Sequence, residues 1–90
     1  IIRGYCASAC TIFYSLPNAC MDIGSSLHFH GASGIVGIED VADLLLAQHY
    51  RGEIKSKFLS DWRHYTHPLF ALPREEAIKL DSKIKRCEDF

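Results

Sequence analysis

The chain has 90 residues, a length that fits one small domain. Its composition, with 48% hydrophobic and 23% charged residues, is that of a globular protein and excludes disordered and collagen-like chains. Ten basic and eleven acidic residues give a formal net charge of −1. The basic stripe typical of nucleic-acid binders is missing, so no nucleic-acid partner is expected. Apolar runs such as residues 44–47 are too short for a transmembrane helix.

The two ends and the cysteines add further constraints. The chain opens on Ile1 without an initiator Met, so residues 1–90 look like one partial domain of a longer polypeptide. The four cysteines, at positions 6, 10, 20 and 87, lack the Cys-x-x-Cys spacing of a zinc site. A Cys10–Cys20 disulfide is plausible in an oxidising compartment, and small buried thiols are the equal alternative.

A strand followed by a short helix is expected first. Residues 1–6 are apolar and favour β-structure, and the helical pattern starts at Ser8, which is a good N-cap. Pro17 ends that helix, because proline cannot continue it. The alternating segment 26–30 then predicts a second strand, and the glycine-rich segment 31–37 predicts a loop.

The longest periodic segment predicts one long helix over residues 39–65, bent near Gly52 and stopped by Pro68. Its apolar side chains recur at three- or four-residue intervals: Val41, Leu44, Leu45, Ile54, Phe58, Trp62 and Tyr65. A loop through Leu72 and Pro73 is expected to lead into a second helix. The tail 83–87 is interpreted as a last strand or an exposed end.

This element order predicts an α/β fold with a parallel sheet. A strand–helix–strand unit implies a right-handed crossover between two parallel strands. Two strands alone do not make a stable sheet, so we expect further chain upstream, or a partner, to complete it.

A serine at the strand-to-helix turn is the first candidate for chemistry. Ser8 stands between two small residues in the segment Gly-Tyr-Cys-Ala-Ser-Ala-Cys of residues 4–10. Such a turn exposes a hydroxyl, and the helix amides beside it could stabilise an oxyanion. The alternative is a plain N-cap serine with no chemical role.

Histidines on the second predicted strand are the next candidates. His28 and His30 face the same way, opposite to Leu27 and Phe29. They could provide a general base, or form part of a zinc site. The zinc site would need further ligands, for which His64 and His67 are available. For His28 alone, a half-exposed strand face is the favoured interpretation.

Ser8 and His30 together form a sharper hypothesis. They are 22 residues apart, separated by one helix and one loop. In a parallel strand–helix–strand unit both would lie near the same sheet edge, where open α/β sheets bind ligands. A neutral imidazole there could accept the serine proton, as nucleophilic catalysis requires.

These residues resemble the ClpP/crotonase superfamily, and the Clp protease proteolytic subunit in particular. The resemblance lies in the segment 4–10, followed by Ser-Ser-Leu-His-Phe-His at residues 25–30. The segment Cys-Ala-Ser-Ala-Cys-Thr at residues 6–11 is similar to the corresponding segment of periplasmic or phage-borne members. The helix 39–65 resembles the family's handle helix, and the segment 73–78 resembles its Glu-Ala helix.

The resemblance implies a serine peptidase that needs no metal or other cofactor. Ser8 would be the nucleophile, His30 the general base, and the Ala9 backbone N–H an oxyanion donor. The implied partners are a peptide or protein substrate and further copies of the chain in a homo-oligomer. Family and cysteine content favour a periplasmic location, although the sequence leaves the compartment open.

The sequence departs from the family at the third catalytic residue. The family's acid should stand near Leu69, but residues 65–73 contain no Asp or Glu. Asp61, expected inside the long helix, and His67 are the nearest substitutes. Loss of an orienting carboxylate can lower kcat about 10⁴-fold. The family's second oxyanion donor comes from a glycine loop upstream of this sequence.

Two alternatives therefore remain. The chain could be a catalytically degenerate ClpP-like domain that acts as a structural or assembly module. It could also be a zinc-binding or disulfide-stapled domain of another fold.

Overall fold

A mixed three-stranded sheet with strand order β1–β2–β3 organises the fold. The computed structural model describes residues 1–31, 39–65 and 69–89, without the side chains of Ser8, Glu39, Asp40 and Val41. Along the described chain the elements are β1 (Tyr5–Ala7), a first 3-10 helix (Ser8–Ser15), β2 (Ser26–Phe29), α1 (Glu39–Ala47), α2 (Gly52–Ser60), a second 3-10 helix (Trp62–His64), β3 (Phe70–Pro73), α3 (Arg74–Leu80) and a third 3-10 helix (Cys87–Asp89).

The first two strands are parallel neighbours joined through the first 3-10 helix. Tyr5 is paired with Ser26, and Ala7 with His28. This pair agrees with the predicted strand–helix–strand unit. The alternation in β2 is also as predicted, because Leu27 and Phe29 are fully buried while His28 is half-exposed.

The prediction of a purely parallel sheet is wrong, because β3 joins β2 in antiparallel orientation. The segment around Leu72 and Pro73 is predicted as a loop, because Pro73 suits the first position of the helix that follows. β3 lies at the sheet edge, where proline is tolerated, and Leu72 supplies the buried side chain. With β3, the sheet has three strands instead of the two expected from the sequence.

The prediction of one long helix over 39–65 is wrong as well. The chain leaves helical geometry after α1 and starts again at Gly52, which has a φ of 63°. At the break, the Tyr14 hydroxyl accepts a hydrogen bond from the Arg51 N–H (2.6 Å) and donates one to the Arg51 carbonyl (3.1 Å). Burial raises the pKa of Tyr14, so its hydroxyl keeps the proton that it donates. These bonds replace the intrahelical bonds that the break removes.

The buried face of α1 differs from the predicted apolar stripe. Leu44 and Leu45 are 54% and 56% exposed, whereas Asp43 and Ala47 are buried. Asp43 is charge-paired, because the Arg63 Nε donates to its carboxylate over 3.0 Å. The buried face of α1 therefore carries a charge-paired carboxylate, whereas hydrophobic periodicity predicts leucines on that face.

An aromatic cluster fills the core between the sheet and α2. Phe29 from β2 contacts Tyr50 edge-on at 5.2 Å between ring centroids, and contacts Trp62 at 5.0 Å. Phe58 packs edge-on against Tyr50, and Trp62 stacks on Phe70 of β3 at 4.4 Å. Such pairs stabilise a core beyond the area that they bury.

Two disulfides connect the four cysteines, so the Cys10–Cys20 pairing and the equal alternative of buried free thiols are both wrong. One joins Cys6 of β1 to Cys10 of the first 3-10 helix. The other joins Cys20 to Cys87 across 67 positions. The C-terminal tail, expected to be a strand or an exposed end, is held beside Met21 through an isolated bridge at Arg86.

Some predictions fall on parts that the structure leaves undescribed. The predicted loop beyond Gly31 and the helix stop at Pro68 lie outside the described residues. Within the described residues, each helix is too short or too polar to cross a bilayer.

We predict that Gly52→Ala destabilises the fold more than Gly24→Ala. Both glycines have positive φ, which costs an L-residue about 1–2 kcal/mol. A Cβ at Gly24 meets no atom within 4 Å, but one at Gly52 would lie 2.9 Å from the Leu80 carbonyl oxygen. That crowding should add about 1–3 kcal/mol for Gly52→Ala. Urea unfolding of both variants measures the difference, and equal free energies of unfolding would contradict it.

Candidate functional site

Ser8 and His30 come at the carboxyl ends of two adjacent parallel strands. Ser8 follows directly after β1, and His30 follows directly after β2. Since Ala7 is paired with His28, the two chain positions leave the sheet at the same edge. The backbone therefore brings together the two residues that the sequence selected, while the Ser8 side chain lies outside the described part of the structure.

The first 3-10 helix starts one residue earlier than predicted. Ala7 is the N-cap, with an extended backbone, and Ser8 is the first helical residue. The interpretation of Ser8 as an N-cap is therefore wrong. In a 3-10 ladder counted from Ala7, the first amide with an acceptor inside the helix belongs to Cys10. The Ala9 amide precedes it in the chain, in the first turn of the helix.

The His30 ring is oriented by the backbone of the next residue. Its Nδ1 lies 2.6 Å from the Gly31 carbonyl oxygen. A carbonyl oxygen only accepts hydrogen bonds, so this contact places a proton on Nδ1. In the neutral ring, Nε2 then carries the lone pair that a general base needs.

Gly31 itself is held against the segment that follows α2. Its N–H donates to the Tyr65 carbonyl (3.3 Å), and a Cβ on Gly31 would lie 1.8 Å from the Arg63 carbonyl oxygen. Only glycine fits this approach. Arg63 is in turn paired with the buried Asp43. The sequence shows Gly31 only as part of a glycine-rich loop, and nothing in the sequence identifies its carbonyl as the partner of His30.

The two candidates for the third catalytic residue have different outcomes. Asp61 ends α2 and is exposed, so its predicted place inside a helix is wrong. His67 lies outside the described residues. The Nδ1 atom, which the carboxylate of a triad would contact, has the Gly31 carbonyl as its partner instead. A neutral acceptor therefore fixes the tautomer without adding a negative charge.

His28 makes a separate serine–histidine contact on the open face of the sheet. Its Nε2 lies 2.7 Å from the Ser26 Oγ, and the Tyr5 ring packs on the imidazole at 4.0 Å between centroids. Desolvation by partial burial lowers the pKa of His28 below 6.5. The imidazole is therefore neutral at pH 7 and able to accept from Ser26.

The described part of the chain contains no set of ligands for the zinc site considered from the sequence. Within residues 1–31, 39–65 and 69–89, no three His, Cys, Asp or Glu side chains could hold a metal ion together. All four cysteines are in disulfides, which removes the thiolates that zinc prefers.

No protein-family model, no curated protein and no solved structure matches the chain. The chemistry of this sheet edge therefore has to be inferred from the residues themselves.

We predict that stability falls with decreasing pH through the titration of His28. The folded state lowers the pKa of His28, so below pH 6.5 the unfolded chain binds more protons than the folded one. The contribution is full above 6.5 and is lost as the pH falls to the folded-state value. His28→Gln should remove this part of the slope. Urea unfolding between pH 7 and 5 measures it, and parallel curves for both proteins would contradict the prediction.

We predict that Gly31→Ala disturbs both the fold and the His30 tautomer. The added methyl group collides with the Arg63 carbonyl and should cost about 3 kcal/mol. Nitrogen NMR of the imidazole should show the Nδ1–H tautomer in the unmodified protein and a mixture in the variant. An unchanged tautomer in a folded Gly31→Ala protein would contradict the role given to the Gly31 carbonyl.

Proposed function

We propose that this chain carries a serine hydrolase site similar to that of the ClpP/crotonase superfamily. Its proposed substrate is a peptide or a protein, in which it cleaves peptide bonds. Ser8 is the nucleophile, His30 the general base, and the Ala9 N–H an oxyanion donor. The observation that supports the proposal is the parallel pairing of β1 and β2, whose carboxyl ends lead directly into Ser8 and His30.

The proposed reaction is acyl transfer through a covalent intermediate. The Ser8 oxygen attacks the substrate carbonyl carbon, and its proton passes to the Nε2 of His30. The carbonyl oxygen becomes an oxyanion that accepts a hydrogen bond from the Ala9 N–H. The C–N bond then breaks, and His30 returns the proton to the leaving amine. Water, deprotonated by His30, hydrolyses the acyl-enzyme and regenerates Ser8.

The contact between His30 and Gly31 supports a base of modest strength. It fixes Nδ1 as the protonated nitrogen, which is the tautomer that the mechanism requires. A carbonyl lacks the full negative charge that stabilises the imidazolium in a triad. We therefore expect slow turnover of peptide substrates and faster reaction with substrates whose acyl group is activated. The resemblance implies a second oxyanion donor from an upstream glycine loop, which would strengthen the site.

The proposed setting is an oxidising compartment such as the periplasm. Two disulfides in 90 residues are typical of proteins that fold outside the reducing cytosol. Assembly into a homo-oligomer is also proposed from the family resemblance. The exposed Leu44 and Leu45 on α1 provide apolar surface for contacts between copies.

A degenerate ClpP-like assembly module is the second candidate. The neutral carbonyl at the Nδ1 of His30 favours it, because loss of an orienting carboxylate can lower kcat about 10⁴-fold. This candidate retains the α1 surface and requires no reactivity at Ser8.

We predict that a fluorophosphonate probe labels Ser8. The serine oxygen forms a bond to phosphorus, fluoride leaves, and His30 takes the proton. Ser8→Ala should abolish labelling, and His30→Gln should slow it roughly 100- to 10,000-fold, the usual contribution of a general base. Intact-protein mass spectrometry gives the rate, and peptide mapping gives the labelled residue.

Ser26→Ala and His28→Gln are the matched controls, because they remove the other serine–histidine contact of the described structure. Both should keep the labelling rate of the unmodified protein. Label located on Ser26 would move the reactive site to the open face of the sheet. Absence of label from the folded protein would leave the assembly module as the better function.

A further inference from the structure

We propose that Cys6 and Cys10 are positioning residues for Ser8, and that reduction of their disulfide switches the nucleophile off. This inference rests on the proposed function. It concerns the control of that site, which neither the sequence nor the family resemblance assigned to the cysteines.

The disulfide closes a five-residue ring with Ser8 at its centre. Cys6 is the middle residue of β1, and Cys10 is the third residue of the first 3-10 helix. The ring spans the junction where the backbone changes from the extended Ala7, with φ −122° and ψ 158°, to the helix. A covalent bond across this junction limits where the chain can turn, and so limits the position of Ser8.

Among the contacts of the described residues, few others anchor the first turn of the helix. Its N-cap, Ala7, makes no side-chain capping bond, and 3-10 hydrogen bonds have poorer geometry than those of an α-helix. Ala7 and Ala9 carry only methyl groups, so they add little packing around Ser8. Cys6 is 1% exposed and belongs to the core, so the disulfide ties the turn to a buried position of the sheet.

The later turns of the same helix are anchored independently. The buried Thr11 hydroxyl is hydrogen-bonded to the Tyr50 hydroxyl at 2.5 Å, and Tyr14 binds the backbone of Arg51. Ser15 is also bonded to the His49 carbonyl. Opening the disulfide should therefore loosen the turn around Ser8 and leave the rest of the fold in place.

A reductant can approach the disulfide from the Cys10 side. Cys10 is partly exposed and lines a surface groove of about 720 Å³, together with Ile1, Phe13 and Pro17. A thiolate of a dithiol reductant attacks the Cys10 sulfur, and the Cys6 sulfur leaves as a thiolate that takes up a proton. The second thiol of the reductant then attacks the mixed disulfide. The products are two protein thiols and one reductant disulfide, so two electrons are transferred.

The experiment uses the fluorophosphonate assay to compare two variants, each of which lacks one of the two disulfides. Cys6→Ala/Cys10→Ala should slow labelling of Ser8 by 10-fold or more, because small displacements of a reacting group cost large factors in rate. Cys20→Ala/Cys87→Ala removes the disulfide that does not enclose Ser8. Measured where its folded fraction is the same, it should label within about threefold of the unmodified protein.

Reduction of the unmodified protein provides a second measurement that does not depend on how the variants fold. Treatment with dithiothreitol should reproduce the slow labelling, and reoxidation should restore the original rate. The Cys6→Ala/Cys10→Ala protein should label at the same rate with and without dithiothreitol. Amide hydrogen exchange of the Cys6→Ala/Cys10→Ala protein, which keeps the Cys20–Cys87 disulfide, should show faster opening confined to the turn around Ser8, with Thr11 and Tyr14 protected as before.

The outcomes separate this inference from the function on which it rests. Equal labelling of Ser8 before and after reduction would overturn the positioning role and leave the hydrolase proposal standing. Failure of the oxidised, folded protein to label at Ser8 would overturn the proposed function itself. Slow labelling of the Cys20→Ala/Cys87→Ala protein at equal folded fraction would show that the effect is not specific to the disulfide that encloses Ser8, and would also overturn the inference.

Discussion

The parallel pairing of β1 and β2 is the constraint on which the rest of the structure depends. Parallel strands require a crossover, and here the crossover is the first 3-10 helix, which begins at the residue after β1. The same pairing buries Leu27 and Phe29 on one face and leaves His28 on the other. The core and the candidate site are thus both consequences of one register.

Polar contacts decide how the helices are arranged on this sheet. The Tyr14 hydroxyl satisfies both backbone groups of Arg51, and the Arg51 guanidinium pairs with the buried Asp81 carboxylate. A second buried carboxylate, Asp43, holds Arg63, whose carbonyl packs on Gly31. Removing either arginine would leave a buried carboxylate unpaired, so each pair disfavours arrangements that separate its partners.

In the candidate site, a backbone carbonyl orients the proposed base. The Gly31 carbonyl sets the tautomer of His30. Gly31 is in turn hydrogen-bonded to Tyr65 in the segment after α2, so the position of that segment affects where the imidazole lies. On the other side of the edge, the disulfide between Cys6 and Cys10 encloses Ser8. Each of the two proposed catalytic positions therefore has its own support, one through packing and one through a covalent bond.

The sequence by itself determined the features that depend on neighbouring residues. The alternation in β2, the parallel pair and the helix after Pro73 follow from local patterns, and so does the choice of Ser8 and His30. Only the tertiary structure decided the break at Gly52, the antiparallel β3, the disulfide partners and the contact at Gly31. Most of these join residues distant in sequence, such as Cys20 with Cys87 or Gly31 with Tyr65. The free energy of such a contact depends on geometry that periodicity and spacing do not contain.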